Sequence, residues 1–155
     1  MRPGVRYLLG PGTTTAAVGR ALNLPTTLLG IDLIADHRLL GSALTERQLL
    51  SHLSRTDRPI HAVLSVIGGQ GFVLGRGNQQ LSPAVLANVS ELLILATTQK
   101  LAALQGRPLL ADTGDPDTDD RLAGYVHVLT GHRESTRYRL AATNPALPSP
   151  EGVHP

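Results

Sequence analysis

Ile67-Gly-Gly-Gln-Gly-Phe-Val-Leu-Gly-Arg-Gly-Asn-Gln-Gln-Leu-Ser-Pro83 joins an apolar run, Ile60 to Ile67, to a proline at what reads as the first position of a helix. A buried strand that runs into a glycine loop and then a helix start is the repeating unit of an α/β fold. Gly68, Gly69, Gly71, Gly75 and Gly77 let the backbone adopt φ > 0 and approach a bound group closely. Around them, Gln70, Arg76, Asn78, Gln79 and Gln80 bring donors suited to phosphate, ribose or carboxylate oxygens. A glycine-rich hairpin with polar decoration would explain this loop by itself. The balance is shifted by a second loop of the same build, Gly10-Pro-Gly-Thr-Thr-Thr15, which follows the short apolar strand Val5 to Leu9.

Outward from these loops, apolar and amphipathic segments alternate. Thr13 or Thr14 is expected to cap a helix through Leu22, and Thr27 to Ile34 reads as a buried strand. Asp36 to Arg38 reads as a turn, with Leu39 and Leu40 as a short extension. Thr45 to Leu53 carries a Leu49, Leu50, Leu53 stripe and reads as a helix. Pro83 to Asn88 is a further helix, Leu92 to Ala96 the most apolar strand, and a helix through Leu101 and Leu104 stops at Gly106. Pro108 to Ala111 is a strand and Asp115 to Leu122 an acidic helix. Tyr125 to Thr130 pairs with Thr136 to Leu140 as a hairpin around Gly131 to Glu134. The expected architecture is therefore α/β: a mostly parallel sheet with flanking helices and a C-terminal β-hairpin. Residues 1–142 form one domain and a proline-rich, aperiodic tail over 143–155 is expected to be disordered.

Composition narrows the chemistry. A chain of 155 residues that is 41% hydrophobic but only 3% aromatic must build its core from Leu, Ile, Val and Ala. It has no cysteine, which excludes disulfides, thiolate metal sites and cysteine nucleophiles. No apolar run reaches a membrane span and Met1-Arg-Pro-Gly4 is not followed by a signal-peptide core, so no membrane association is expected and the compartment expected is the cytoplasm. The net charge is only +2 and the arginines are scattered without interleaved aromatics, which argues against nucleic acid.

If both glycine loops lie at the C-terminal ends of parallel strands, they face the rim where α/β proteins bind ligands. Glycines would free the turn at Gly10 and Gly12, and a new helix would aim unpaired N–H groups at an anion beside Thr13, Thr14 and Thr15. Thr13 and Thr14 acting only as caps is the plainer reading. Lys100, the sole lysine, follows the most apolar strand and can reach a phosphate. Asp32 is a candidate base, although an aspartate at a strand end commonly serves as a structural acceptor. Asp112 and Asp115 are candidates for Mg2+ within an acidic stretch that also suits a helix N-terminus, and the six histidines show no zinc spacing.

Gly10 to Thr15, Thr27-Leu-Leu-Gly-Ile-Asp32, Ile67 to Phe72, Gly75-Arg-Gly-Asn-Gln-Gln-Leu-Ser-Pro83 and Arg107-Pro-Leu-Leu-Ala-Asp-Thr-Gly-Asp115 together resemble the C-terminal half of the predicted ATP-NAD kinase family that includes the acetoin-catabolism protein X. The resemblance spans most of the chain. It implies NAD and ATP as ligands, with Mg2+ beside them, and an upstream domain whose Gly-Gly-Asp-Gly-Thr motif binds ATP and supplies the catalytic aspartate. No Gly-Gly-Asp-Gly occurs here, so the chain alone is not expected to transfer a phosphoryl group. Arg76, Asn78 and Gln79 would orient the nucleotide, and the loop at Thr13 to Thr15 would take a phosphate. The ordinary NAD kinase C-terminal domain, a β-sandwich, is the competing fold.

The chain is also similar, more weakly, to sugar-phosphate isomerases of the ribose-5-phosphate type, through Gly12-Thr-Thr14, Asp32 with Asp36, Gly68-Gly-Gln-Gly71 and Gln99-Lys-Leu101. The lysine and glutamate that flank the glycine run in that family are replaced here by Ile67 and by Arg76 to Gln80, which removes the expected base. A non-catalytic assembly module for a separate kinase domain is the alternative outside enzymes. Self-association stays open.

Overall fold

The computed structural model describes residues 1–67 and 69–143. Gly68 and the expected tail from 144 onward lie outside the described residues. The elements in order are β1 (Arg6–Leu9), α1 (Thr13–Ala21), β2 (Asp32–Ala35), β3 (Arg38–Gly41), α2 (Glu46–Leu53), β4 (Ile60–Ser65), β5 (Phe72–Leu74), α3 (Pro83–Leu86), β6 (Glu91–Leu95), α4 (Thr98–Ala103), β7 (Leu109–Ala111), α5 (Pro116–Leu122), β8 (Gly124–Gly131) and β9 (Glu134–Ala142). The strands form one sheet in the order β3-β2-β1-β4-β6-β8-β9-β7-β5. Pairing is parallel for β1 with β4, β4 with β6, β6 with β8, β7 with β9 and β5 with β7, and antiparallel for β1 with β2, β2 with β3 and β8 with β9. The fold is thus α/β with a mostly parallel sheet and a C-terminal hairpin.

Alternation along the strands builds a core on each face. Leu8, Leu33, Ile60, Ala62 and Leu64 join one cluster with Leu49 and Leu53 of α2 and Val85 and Leu86 of α3. Tyr7, Leu9, Ile34 and Val63 join the other, with Val18 of α1 and Leu24 packed against it. The first cluster continues through Val73, Ile94, Leu109, Val128 and Leu140. This continuity follows from the sheet's curl. β5 ends the strand order, yet Phe72 bridges Ile67 just beyond β4, with the Ile67 N–H donating to the Phe72 carbonyl at 2.7 Å. Strands β4 to β5 therefore wrap around the aliphatic interior. Aromatics contribute little beyond Tyr7 and Phe72, as composition requires.

Local signals explain most boundaries. Thr45 and Gln48 form a reciprocal capping box on α2, and Ser82, Thr97 and Asp115 cap α3, α4 and α5. The turn between β2 and β3 places Asp36 and His37 at positive φ, the geometry of a tight hairpin. Three expectations need correction. The N-cap of α1 is Gly12, not Thr13 or Thr14, and no side chain caps it. Thr27 to Ile31 is loop, because the Asp32 carboxylate draws the Thr27 N–H back to 2.6 Å, and only Asp32 to Ala35 is extended. Phe72 to Leu74, expected within the glycine loop, is strand β5 paired with β7. Among the described residues no helix is long and apolar enough to cross a membrane.

Candidate functional site

β1, β4 and β6 lie side by side and parallel, so their C-terminal ends share one rim. The chain leaves β1 through Gly10 to Gly12 into α1, leaves β4 through Val66 and Ile67, and leaves β6 into α4. At this rim lies a cavity of about 560 Å³, lined by Pro11, Gly12, Thr13, Thr14, Leu29, Ser65, Val66, Ile67, Arg76, Gly77 and Lys100. The two glycine loops do meet. The meeting runs through the Arg76 and Gly77 end of the second loop, whereas Gly69 and Gln70 are exposed outside the cavity. Gly71 is the junction into β5, its carbonyl accepting from the Leu110 N–H at 2.9 Å.

Gly12 is fixed by geometry. Its φ is +126°, and a Cβ there would lie 2.8 Å from Ser65 Oγ. Ser65 in turn donates to the Pro11 carbonyl at 3.3 Å, tying the end of β4 to the first loop. The opening bond of α1 runs from the Ala16 N–H to the Gly12 carbonyl at 3.0 Å. First-turn N–H groups before Ala16 therefore have no intrahelical acceptor and, with no side-chain cap, carry the positive end of the helix into the cavity. Thr15 is buried and donates its hydroxyl back to the Gly12 carbonyl at 3.0 Å, so it shapes the turn without lining the cavity.

Two cations face the same space. Lys100 Nζ donates to the Val66 carbonyl at 3.3 Å, which leaves its remaining protons for a ligand. Arg76 is steadied by Phe72, its guanidinium carbon 4.6 Å from the ring centroid, and stands only loosely against Asp112 at 4.0 Å. Leu29, Val66 and Ile67 give the cavity an apolar wall. The combination of positive groups at one side and aliphatic surface at the other suits an anionic group joined to a flat or apolar body.

Other expected residues have structural work. Asp32 is 1% exposed and its oxygens accept from the Thr27 N–H and hydroxyl and from the Ala43 N–H at 2.9 Å, which places it outside the cavity as the clamp of the 27–31 loop. Asn78 is 2% exposed and holds the Gly75 turn, accepting from the Gly75 N–H at 3.0 Å and donating to the Val73 carbonyl at 2.9 Å. Its amide oxygen and nitrogen are both engaged within the turn. Asp115 accepts from the Thr118 N–H at 3.1 Å as the cap of α5, and Asp119 accepts from Thr113. Among the described residues no three His, Asp or Glu side chains group as a metal site, and of the two Mg2+ candidates Asp115 is spent on the α5 cap.

Sequence reasoning missed Ser65, which carried only its place at the end of an apolar strand. It also missed a larger cavity, about 730 Å³, at the opposite end of β1, lined by Arg6, Arg38, Arg55 and Arg58 with Asp36. Two of its arginines are engaged: Arg58 pairs with Asp36 at 2.8 Å and Arg6 donates to the His52 carbonyl at 2.9 Å. The Gly4 N–H and the Arg58 guanidinium hold the Asp36 carboxyl below its ordinary pKa.

Compared with protein families, residues 2–140 match the ATP-NAD kinase C-terminal domain. The chain belongs to this family. A comparison with curated proteins and one with solved structures give no match. As an ATP-NAD kinase C-terminal domain, the chain carries its rim cavity at the C-terminal ends of parallel strands, the edge at which open α/β sheets bind ligands.

Proposed function

We propose that this domain is the nucleotide-binding half of an NAD kinase-like protein and that it holds NAD by its phosphates in the rim cavity. The observation that carries this reading is the convergence on one cavity of an uncapped helix start with Arg76 and Lys100, from three separate segments of a family member. The N–H groups at Thr13 and Thr14 and the two side chains bind the oxyanions, and Leu29, Val66 and Ile67 take an apolar or ring surface. The cradle fits a dinucleotide's phosphates. ATP, supplying the transferred group, belongs in this reading to a Gly-Gly-Asp-Gly-Thr domain, since this chain has no such motif and its buried Asp32 is committed to hydrogen bonds. Phosphoryl transfer then requires both halves.

Calorimetry with NAD, NADP, ATP and ribose 5-phosphate tests the assignment. NAD is expected to bind, and Lys100→Ala to weaken it by roughly tenfold or more, because a charge-assisted contact is lost. A folded sample that binds none of the four overturns the reading. One observation favours a second role: Leu28 and Leu29, 51% and 78% exposed, present aliphatic surface beside the cavity. Docking of a kinase domain across this loop would cover them and close the site over the nucleotide. Sedimentation of a mixture with a separately produced Gly-Gly-Asp-Gly-Thr domain measures that association. Leu29→Asp is expected to weaken it.

A further inference from the structure

The rim cavity has a neighbour. A second cavity of about 370 Å³ is lined by Gly75, Arg76, Gln79, Asp112, Thr113 and Gly114, among others, and Arg76 borders both. The wall of this second space is unusually fixed. Gly75 has φ +86° and its missing Cβ would fall 1.6 Å from the Asp112 carbonyl oxygen, so the 75–77 turn and the end of β7 touch backbone to backbone. Asn78 pins that turn from below. The Thr113 hydroxyl and N–H are held by Asp119 at 2.7 and 2.9 Å.

Against this rigid frame, two polar side chains are left over. The Asp112 carboxylate accepts no hydrogen bond among the described residues, and its ion-pair contact is with Arg76 at a loose 4.0 Å. Gln79 is exposed and likewise has no hydrogen-bond partner among the described residues. Thr118, Asp115 and Asp119, close by in sequence, are by contrast fully engaged with one another and with Thr113.

A carboxylate accepts O–H donors at both oxygens, and a carboxamide both donates and accepts. Lining one cavity, they match a pair of adjacent hydroxyls, which need acceptors for their protons and a donor for a lone pair. An anion would be repelled by Asp112, and an apolar group would leave both side chains unsatisfied. Arg76 lies between this space and the anion cavity. We infer that Asp112 and Gln79 form a sugar subsite, which takes the vicinal hydroxyls of a ribose whose phosphate lies in the rim cavity, with Arg76 at the junction. The inference rests on the anion reading of the rim cavity and names the part of the ligand that extends from it.

The test uses the whole chain and three probes: inorganic pyrophosphate, ribose 5-phosphate and 2-deoxyribose 5-phosphate, titrated by calorimetry or NMR. The wild type is expected to prefer ribose 5-phosphate over the deoxy sugar by about tenfold, the worth of one hydroxyl paired to a charged acceptor. Asp112→Asn is expected to erase that preference while pyrophosphate affinity stays within about twofold. Gln79→Ala should reduce ribose 5-phosphate affinity alone, and it provides a second variant at an exposed position where folding is not at stake. Equal binding of the two sugars by the wild type, or an unchanged preference in Asp112→Asn, overturns the sugar subsite while leaving the anion site standing. Failure to bind pyrophosphate removes both.

Discussion

Gly75→Ala is expected to lower the stability of the domain by about 3 kcal/mol or more, a fall of roughly 10 °C in the melting midpoint for a chain of this size. The residue sits at φ +86° and a Cβ would overlap the Asp112 carbonyl oxygen at 1.6 Å, so neither a side-chain rotation nor a small shift relieves the contact. The two segments must part. Separation strains the β5–β7 pairing, including the Asp112 N–H to Leu74 carbonyl bond at 3.3 Å, and loosens the hydrogen bond from Gly75 to Asn78. Gly77→Ala is the control. Its φ is +73° but nothing stands within 4 Å of a Cβ there, so only the left-handed backbone cost of about 1 kcal/mol applies. Thermal melts of the two variants side by side separate collision from conformational preference. Equal losses would show that the contact between the two turns is not what holds β5 in place.

Asp32→Ala should cost about 2 kcal/mol, measured by urea denaturation, because the backbone N–H groups of Thr27 and Ala43 and the Thr27 hydroxyl would lose their charged, buried acceptor. The variant also frees the 27–31 loop, and with it Leu29 at the edge of the rim cavity, so NAD affinity should fall as a secondary effect. Sugar-phosphate turnover gives the opposing outcome. Were Asp32 a general base, Asp32→Asn would abolish isomerisation with little change in stability. The hydrogen bonds place it as a clamp, and the expected result is no turnover in the wild type and a stability loss in the variant.

How far the sequence could be read follows the range of the contacts involved. Capping at Thr45, Ser82, Thr97 and Asp115 and the tight turn at Asp36 and His37 depend on residues a few positions apart, and the helix and turn assignments there agree with the structure. Leu28 and Leu29 misled because an apolar pair before Gly30-Ile31 looks like strand, while the bond that bends this segment depends on a carboxylate turned back onto Thr27. β5 escaped notice for a related reason. Three residues between glycines make a strand only because β7, far along the chain, pairs with them.

The site was legible in the same uneven way. Gly10 to Thr14, Arg76 and Lys100 were singled out by residue chemistry, and the adjacency of β1, β4 and β6 brings three loops to one place. Asn78 looked like a ligand-facing amide, yet its partners Val73 and Gly75 are near neighbours, and an asparagine beside paired glycines is also a turn residue. Gly12 gave its conformational freedom in the sequence but not its reason, which is the Ser65 hydroxyl across the rim.

An amide-resolved NMR titration with NAD puts the rim cavity to the most direct test. The largest shifts should fall on Thr13, Thr14 and Gly77 and on the backbone around Lys100, and should shrink sharply in Lys100→Ala. Shifts centred instead on Arg6, Arg38 and Arg55 at the far end of β1, or none at saturating NAD, would contradict the assignment of the nucleotide to this rim.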